Sequence, residues 1–397
     1  MVIRYTPPSA FIAYGKLGIL QPLTEAKVSM LALTQMPDQR SWADKLQELQ
    51  LKREVAGTSR IEGAEFTEKE LDAALRETPQ QLFTRSQRQA ASAVRTYRWI
   101  AALPAGKPVD LALLLEVHSR LVTGCDDDHC PPGRLRGADH NVTFGQPRHR
   151  GVEGGATCKT AVTNLLRAVD STFRDHDPLV QALALHYHLA AMHPFLDGNG
   201  RTARALEALM LQRVGLRNTL FIAMSNYYHE EKAAYLKALA DTRAAGHDLT
   251  PFLRFALQGI AIHCGRLLAE IRAQVTKALF RNTMADLFGR LESPRKRVMS
   301  ARHVQLLSLL LDEGPQTLEQ ITVRTAHFYL VKNPRKALSR DLSYLFQLGA
   351  LEVAASQPDG AAELRVNLSW PTEITETEFF KRSAAFPKGK VHGFRGG

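Results

Sequence analysis

Apolar residues recur at helical spacing through most of this chain. Leu23 to Met36 and Trp42 to Ala56 read as helices, the second ending near Gly57. Phe66 to Arg76, Arg85 to Ala102 and Leu111 to Leu121 continue the series, with Pro79, Pro104 and Pro108 in the links. From Val180 to Met192, apolar positions at Leu183, Leu185, Leu189 and Met192 occur without any Gly or Pro, as in a buried helix. Ala203 to Gln212 holds strong helix formers, Tyr227 leads a helix through Ala240, and Leu249 starts one running to about Ala285. This density predicts a mainly α fold.

The helical period disappears between Pro131 and Thr157, a stretch rich in Gly, Pro and basic residues. Within it Asn141 to Gly145 alternates like a short strand. On its own the stretch reads as a surface loop, with disorder at Arg148 to Gly155. Tyr5 to Pro8 is extended. Beyond a basic, proline-marked linker at Ser293 to Val298 the texture changes. Ala301 to Asp312, Thr317 to Thr325 and Asn333 to Leu348 predict three short helices. Ala350 to Ala355 and Ala362 to Leu368 predict two strands around the turn Gln357 to Gly360. That order is a winged helix. On its third helix Lys332, Arg335, Lys336 and Arg340 share a face opposite Leu338, Leu342, Leu345 and Leu348, with Asp341 diluting the charge. The face suits a DNA major groove, and equally protein contacts or homodimer packing. The tail after Trp370 is expected to fray. The expected division is a helical region over residues 1–110, a second helical domain over 111–290, the winged helix over 291–372 and a tail over 373–397.

Composition changes this picture little. The 397 residues are 45% hydrophobic and 23% charged, ordinary for a globular protein, and the net charge of +11 favours an acidic partner such as nucleotide or nucleic acid. Four scattered cysteines suit a reducing compartment. Cys125 and Cys130, even with His129, are too isolated to predict zinc. No signal pattern or membrane-length apolar run is present, so a cytoplasmic protein is expected.

The chemistry concentrates in His193-Pro-Phe-Leu-Asp-Gly-Asn-Gly-Arg-Thr-Ala-Arg204, a glycine-bearing loop between two helices. Gly198 and Gly200 permit a tight turn and close approach to a ligand, and the helix that follows offers unpaired N–H groups and its positive dipole end, which together cradle phosphate. Arg201 and Arg204, in the first turn, work against that dipole unless they face an anion. Asp197 supplies a hard oxygen for Mg²⁺ bridging phosphates, and His193 is suited to take a proton near neutral pH.

The same string resembles the Fic family signature HxFx(D/E)GNGRxxR at every specified position. Thr58-Ser-Arg-Ile-Glu-Gly63, read alone as a compact turn or helix cap, resembles that family's inhibitory motif (S/T)xxxE(G/N), carried by Thr58, Glu62 and Gly63. The resemblance implies a protein adenylyltransferase that uses Mg²⁺ and ATP to place AMP on a Ser, Thr or Tyr hydroxyl of a target protein, itself included. It assigns His193 as base and Asp197 as metal ligand. Gly198, Asn199, Gly200 and Arg201 become phosphate contacts, with Asn199 also stabilising charge at the α-phosphate, and Arg204 holds the γ-phosphate. Glu62 would occupy the γ-phosphate position and withdraw Arg204. The resemblance further implies a β-hairpin flap near Asn141 to Gly145 that holds the target by strand addition, approached by Gly133 to Arg136. Lys232 and Tyr235 resemble the family's RxxYY pattern, in which the last tyrosine walls the adenine. Here Lys232 stands for the Arg. Two alternatives stay open: a nucleotide-sensing DNA-binding regulator, and a Fic enzyme that removes AMP or transfers another phosphate-containing group.

Overall fold

The computed structural model describes residues 3–35, 40–76, 84–126, 130–145, 147–214, 223–291, 294–354 and 362–386. Pro79, His129, Ser293, the turn Gln357 to Gly360 and the chain from Lys388 onward lie outside these. The fold is mainly helical, and internal contacts divide the chain into two units, Met1–Ala269 and Glu270–Gly397. No helix of the described residues is long and apolar enough to cross a membrane.

The first unit holds α1 (Lys16–Thr34), α2 (Arg40–Ile61), α3 (Glu68–Arg76), α4 (Arg85–Ala101), α5 (Leu111–Val122), α6 (Ala156–Asp170), α7 (Pro178–Met192), α8 (Asn199–Arg213), α9 (Met224–Glu230) and α10 (Lys232–Ala244), then the start of α11 (Thr250–Gly289). At its centre, α7 starts with Pro178 at the first helical position and the Asp177 side chain accepting from the Leu179 N–H at 3.0 Å. The predicted apolar positions Leu183, Leu185, Leu189 and Met192 are all buried, and α7 packs along α8.

Several boundaries differ from expectation for identifiable reasons. The second helix does not end near Gly57 but continues to Ile61, so Thr58 to Ile61 is helix rather than turn. Gly57 is there for contact: a Cβ would lie 2.4 Å from the Asn226 backbone nitrogen, so α2 and α9 meet backbone to backbone. The first helix begins seven residues before Leu23, with Pro22 inside it. The lost hydrogen bond is offset by burying Ile19, Ala26, Met30 and Leu33. The helix after the glycine loop starts at Asn199, not Ala203, so the second half of the motif is already helical. Tyr227 and Ala240 belong to two helices parted at Glu231, and α6 was not anticipated.

A small sheet forms where the helical period fails. β2 (Thr143–Phe144) pairs antiparallel with β3 (His149–Arg150), and β1 (Ile3–Arg4) joins β3 in parallel, giving the order β1-β3-β2. His149 and Arg150 are therefore one arm of a hairpin rather than part of a structureless loop.

In the second unit α12 begins at Pro294, so much of the expected linker is the first turn of a helix (Pro294–Glu313). It is followed by β4 (Gln316–Thr317), α13 (Leu318–Thr325), α14 (Pro334–Gln347), β5 (Leu351–Val353) and β6 (Glu363–Val366), with sheet order β4-β6-β5. Leu338, Leu342, Leu345 and Leu348 enter the core with Leu306, Leu310, Ile321 and Phe379. Asp341 does not dilute the basic face. It is buried on the inner side, accepting from Arg302 at 2.8 Å and the Tyr329 hydroxyl at 3.0 Å, and Arg340 turns onto it at 3.1 Å. Nor does the chain fray after Trp370: α15 (Trp370–Glu373) and α16 (Glu376–Ala384) follow, and Trp370 and Phe379 are buried.

Candidate active site

His193 ends α7 in the left-handed conformation, φ 51°, uncommon for a residue with a side chain. Its Nδ1 donates to the Ala190 carbonyl at 3.1 Å, which leaves Nε2 as the basic nitrogen. Burial pulls the imidazole down to about 4, against the Ala190 hydrogen bond and the Glu62 charge, so at neutral pH it is uncharged and able to accept a proton. Phe144 of β2 stacks on the ring at 3.6 Å. Arg136 fixes the backbone beneath. Its guanidinium donates to the carbonyls of His193 at 2.7 Å, His140 at 2.6 Å and Val152 at 2.6 Å, tying the hairpin to the end of α7.

The loop that follows is closed by Asn199. Its Oδ1 accepts from the Phe195 N–H at 2.8 Å and its Nδ2 donates to the Phe195 carbonyl at 2.9 Å. The carboxamide thus staples the loop. Gly198, φ 71°, turns the chain into α8, whose first N–H groups have no intrahelical acceptor. His118 of α5 supports the loop from below. It stacks on Phe195 at 3.7 Å, accepts from the Gly133 N–H at 3.0 Å and donates to the Asp197 carbonyl at 3.1 Å.

Two ion-pair clusters flank the loop. On one side Arg204 donates from Nη2 to Glu62 Oε1 at 2.6 Å, from Nε to the Thr58 hydroxyl at 2.9 Å and from Nη2 to the Thr58 carbonyl at 3.1 Å. Burial pushes the Glu62 carboxyl up, but the Arg204 charge and hydrogen bond outweigh it and hold the group below its ordinary range. Gly200 admits this pair: a Cβ there would fall 2.3 Å from Glu62 Oε1. Gly63 follows in the left-handed region, φ 88°.

On the other side stands Asp126, which the sequence reading missed. Its buried carboxylate accepts from Arg201 Nη2 at 2.7 Å, Arg85 Nε at 2.7 Å and Gln89 Nε2 at 2.9 Å. Arg85 also reaches Asp197 Oδ2 at 3.3 Å, while Asp197 Oδ1 accepts from the Gly198 N–H at 2.6 Å. Arg201 is buried, and its Nε has no hydrogen-bond partner. The acidic run beginning at Asp126 in an otherwise basic chain was the available signal. Arg85, Gln89 and His118 carried none, being ordinary polar positions on predicted helices.

Behind the loop lies a buried polar network. Glu54 of α2 accepts from the Tyr97 hydroxyl at 2.8 Å and from the Ser225 N–H at 2.8 Å; burial raises it to about 7. Glu207 accepts from the Tyr228 hydroxyl at 2.9 Å and pairs with His186, whose Nε2 meets the Tyr235 hydroxyl at 2.9 Å. Tyr235 is buried, its hydroxyl committed to that network, yet its ring lines a cavity of 230 Å³ shared with Glu62, Phe144, His193, Gly200 and Arg204. Lys232, at the cavity edge, donates to the Ile61 carbonyl at 2.8 Å, capping the end of α2. The structure thus gathers Glu62, His193, Gly200, Arg204 and Tyr235 around one space. Asp197 and Arg201 sit on the far side of the loop with Asp126.

Over 79 residues, 20% of this chain and 14% of the relative, the sequence is 38% identical to protein adenylyltransferase fic-1 of Caenorhabditis elegans. Over 80 residues, again 14% of the relative, it is 39% identical to protein adenylyltransferase Fic of Drosophila grimshawi. The matched stretch is therefore a small part of these relatives' length. Among solved structures, a Fic family protein from Desulfovibrio desulfuricans superimposes with a TM-score of 0.57 at 18% identity, covering 91% of this chain and 98% of that one. Fic-1 from C. elegans does so with a TM-score of 0.54 at 19% identity, covering 65% of this chain and 75% of that one. Residues 108–211, which contain α5 to α7, the whole glycine loop and most of α8, match the Fic/DOC family, and the chain carries a Fic domain.

Proposed function

We propose that the protein is an adenylyltransferase that moves AMP from ATP onto a Ser, Thr or Tyr hydroxyl of a protein, its own chain included, and that Glu62 restrains it. The observation that carries this reading is a neutral imidazole, a helix N-terminus and a buried arginine converging on one cavity. The hydroxyl oxygen bonds to the α-phosphorus as His193 Nε2 takes its proton, and the bond to the β-phosphate oxygen breaks to release pyrophosphate. The backbone N–H groups at Asn199 and Gly200 receive the charge growing on the α-phosphate oxygens. Arg201, paired with Asp126 across the loop, is the β-phosphate contact that the family resemblance implies, and Arg204 holds the γ-phosphate once Glu62 yields it.

A single carboxylate beside a phosphate cradle is the donor set Mg²⁺ uses, because that ion keeps its waters and takes the rest of its ligands from phosphate. Asp197, only partly buried, fits that role provided Arg85 moves off Oδ2. When bound, the ion supplies neutralising charge to the triphosphate. Incubating the protein with ATP labelled at the α-phosphorus tests the whole reading: label should become covalently fixed to protein, and label that only binds reversibly would replace transfer with sensing.

The second unit supports a separate reading. Its helices and three-stranded sheet follow a winged-helix order, and Arg335 and Lys336 are exposed in the first turn of α14, with Lys332 exposed just before it, while the opposite face is buried. DNA is the partner such a face suits. Fluorescence anisotropy with duplex DNA should show binding that weakens with salt, and its absence would leave protein contact or dimer packing as the use of that surface.

A further inference from the structure

The cavity has a second polar end that the transfer chemistry does not use. Its wall on α10 is one helical face, Lys232, Tyr235, Leu236, Leu239 and Arg243. At about 1.5 Å per residue, Arg243 lies roughly 16 Å along the helix from Lys232, which sits beside Glu62. One end of the space is therefore the Glu62 and Arg204 end, and the other is formed by Arg243 with His149 of β3. Between them the lining is flat and mostly apolar: Leu236, Leu239, Ala190, Ala191 and the ring of Tyr187.

At the far end Arg243 Nη1 meets His149 Nε2 at 2.6 Å. A guanidinium can only donate, so the imidazole accepts at Nε2 and carries its proton on Nδ1. His149 is 4% exposed. Among the described residues Arg243 has no carboxylate partner. A donor and an acceptor thus face the cavity side by side, bonded to each other.

We propose that Arg243 and His149 are the base-reading pair of this pocket and that they select adenine. The proposal rests on the nucleotide reading above. Adenine presents an amino donor next to a ring-nitrogen acceptor, which the imidazole Nε2 and a guanidinium N–H complement one for one. Guanine presents a carbonyl oxygen where adenine has the amino group, setting a lone pair against the lone pair of Nε2. Burial first, and the Arg243 charge second, hold His149 at about 4, so it does not turn into a donor at neutral pH. Because the two side chains satisfy each other in the free protein, the exchange onto a base leaves neither without a partner. The triphosphate then extends from the base end toward Arg204, a distance the cavity wall spans.

The test is calorimetric binding of ATP, GTP and inorganic tripolyphosphate to the full chain carrying Glu62→Gly, alone and with Arg243→Ala, His149→Ala or His149→Gln added. The parent should favour ATP over GTP by at least about tenfold. Arg243→Ala and His149→Ala should each weaken ATP by about ten- to a hundredfold and bring the ATP-to-GTP ratio toward one. His149→Gln, which retains an acceptor and a donor, should keep the preference for ATP. Tripolyphosphate should bind all of them alike within about twofold, which reports an intact phosphate end and a folded protein. Equal losses for all three ligands would mean that the pair only braces the hairpin, and an unchanged ratio would mean that the base is read elsewhere; either overturns the proposal. Discrimination without covalent transfer would instead sink the adenylyltransferase reading and leave this one standing.

Discussion

Replacing Glu62 by glycine should raise AMP transfer by about ten- to a hundredfold. In the present arrangement Glu62 Oε1 lies 2.6 Å from Arg204 Nη2, so a carboxylate occupies the space where Arg204 would meet the γ-phosphate. Two like charges about 4 Å apart repel by roughly 4 kcal/mol at an effective dielectric near 20. The Glu62 side chain is 37% exposed, which screens the interaction, and we take about half of that value. About 2 kcal/mol corresponds to roughly thirtyfold in productive ATP binding. Arg204 should remain in position in the variant, because its bonds to the Thr58 hydroxyl and carbonyl do not involve Glu62. The gain must then vanish when Arg204→Ala is added, since the γ-phosphate has lost its anchor. Initial rates of label incorporation for the wild type, both single variants and the double variant decide the matter. Equal or lower activity in Glu62→Gly would refute the inhibitory assignment. A helix-capping role is a poor rival: Glu62 follows the C-terminal end of α2, where a carboxylate works against the helix dipole.

His193→Ala should lower transfer by about 10²- to 10⁴-fold and leave ATP binding nearly intact, measured by calorimetry beside the rate assay, because its Nε2 serves the incoming hydroxyl. Asp126→Ala should lower the melting temperature, at a cost of about 3–5 kcal/mol, since Arg201 would stay buried without its carboxylate. Asp126→Asn should lose less, and both should impair transfer. His118 supplies a pH test. Burial depresses it to about 4 from an ordinary 6.5, so between those values the unfolded chain binds the extra proton and stability falls as pH drops. Urea unfolding at pH 7 and pH 4.5 should show up to about 3 kcal/mol of this loss, and a His118→Phe variant that keeps the stack on Phe195 should show less of it.

How much of this was legible in the sequence depends on whether a residue's role is local. The glycine loop could be read because its chemistry follows from adjacent residues, and the hydrophobic period placed the core of α7. The end of α2 was misplaced because Gly57 resembles a terminator until α9 is seen pressed against it. Asn199 was assigned to the α-phosphate through the family resemblance, and its bonds to the Phe195 backbone are a matter of loop closure that spacing does not reveal. Arg85 and His118 reach the loop from α4 and α5, and nothing in their own neighbourhood announces them, whereas Asp126, in the turn after α5, begins an acidic run that could have drawn notice. Arg243 and His149 are 94 positions apart, and only the folded hairpin brings them together.

The way α2 is fastened bears on how its restraint can be released. Its middle is anchored deeply: Glu54 accepts from Tyr97 and Ser225, and Gly57 allows backbone contact with α9. Its last turn is held differently. Lys232 caps the Ile61 carbonyl from an exposed position, and Glu62 grips Arg204 from the rim of the cavity. On the proposed reading, an incoming γ-phosphate would compete only with the final turn, and the anchored part of the helix need not move. Such a restraint would be firm in place and weak in release, because the buried contacts that position Glu62 are not those that ATP would have to break. Thr58, buried in that same last turn, accepts from Arg204 through its hydroxyl and its backbone carbonyl, so on the proposed reading the guanidinium stays aimed at the phosphate whether or not Glu62 is on it.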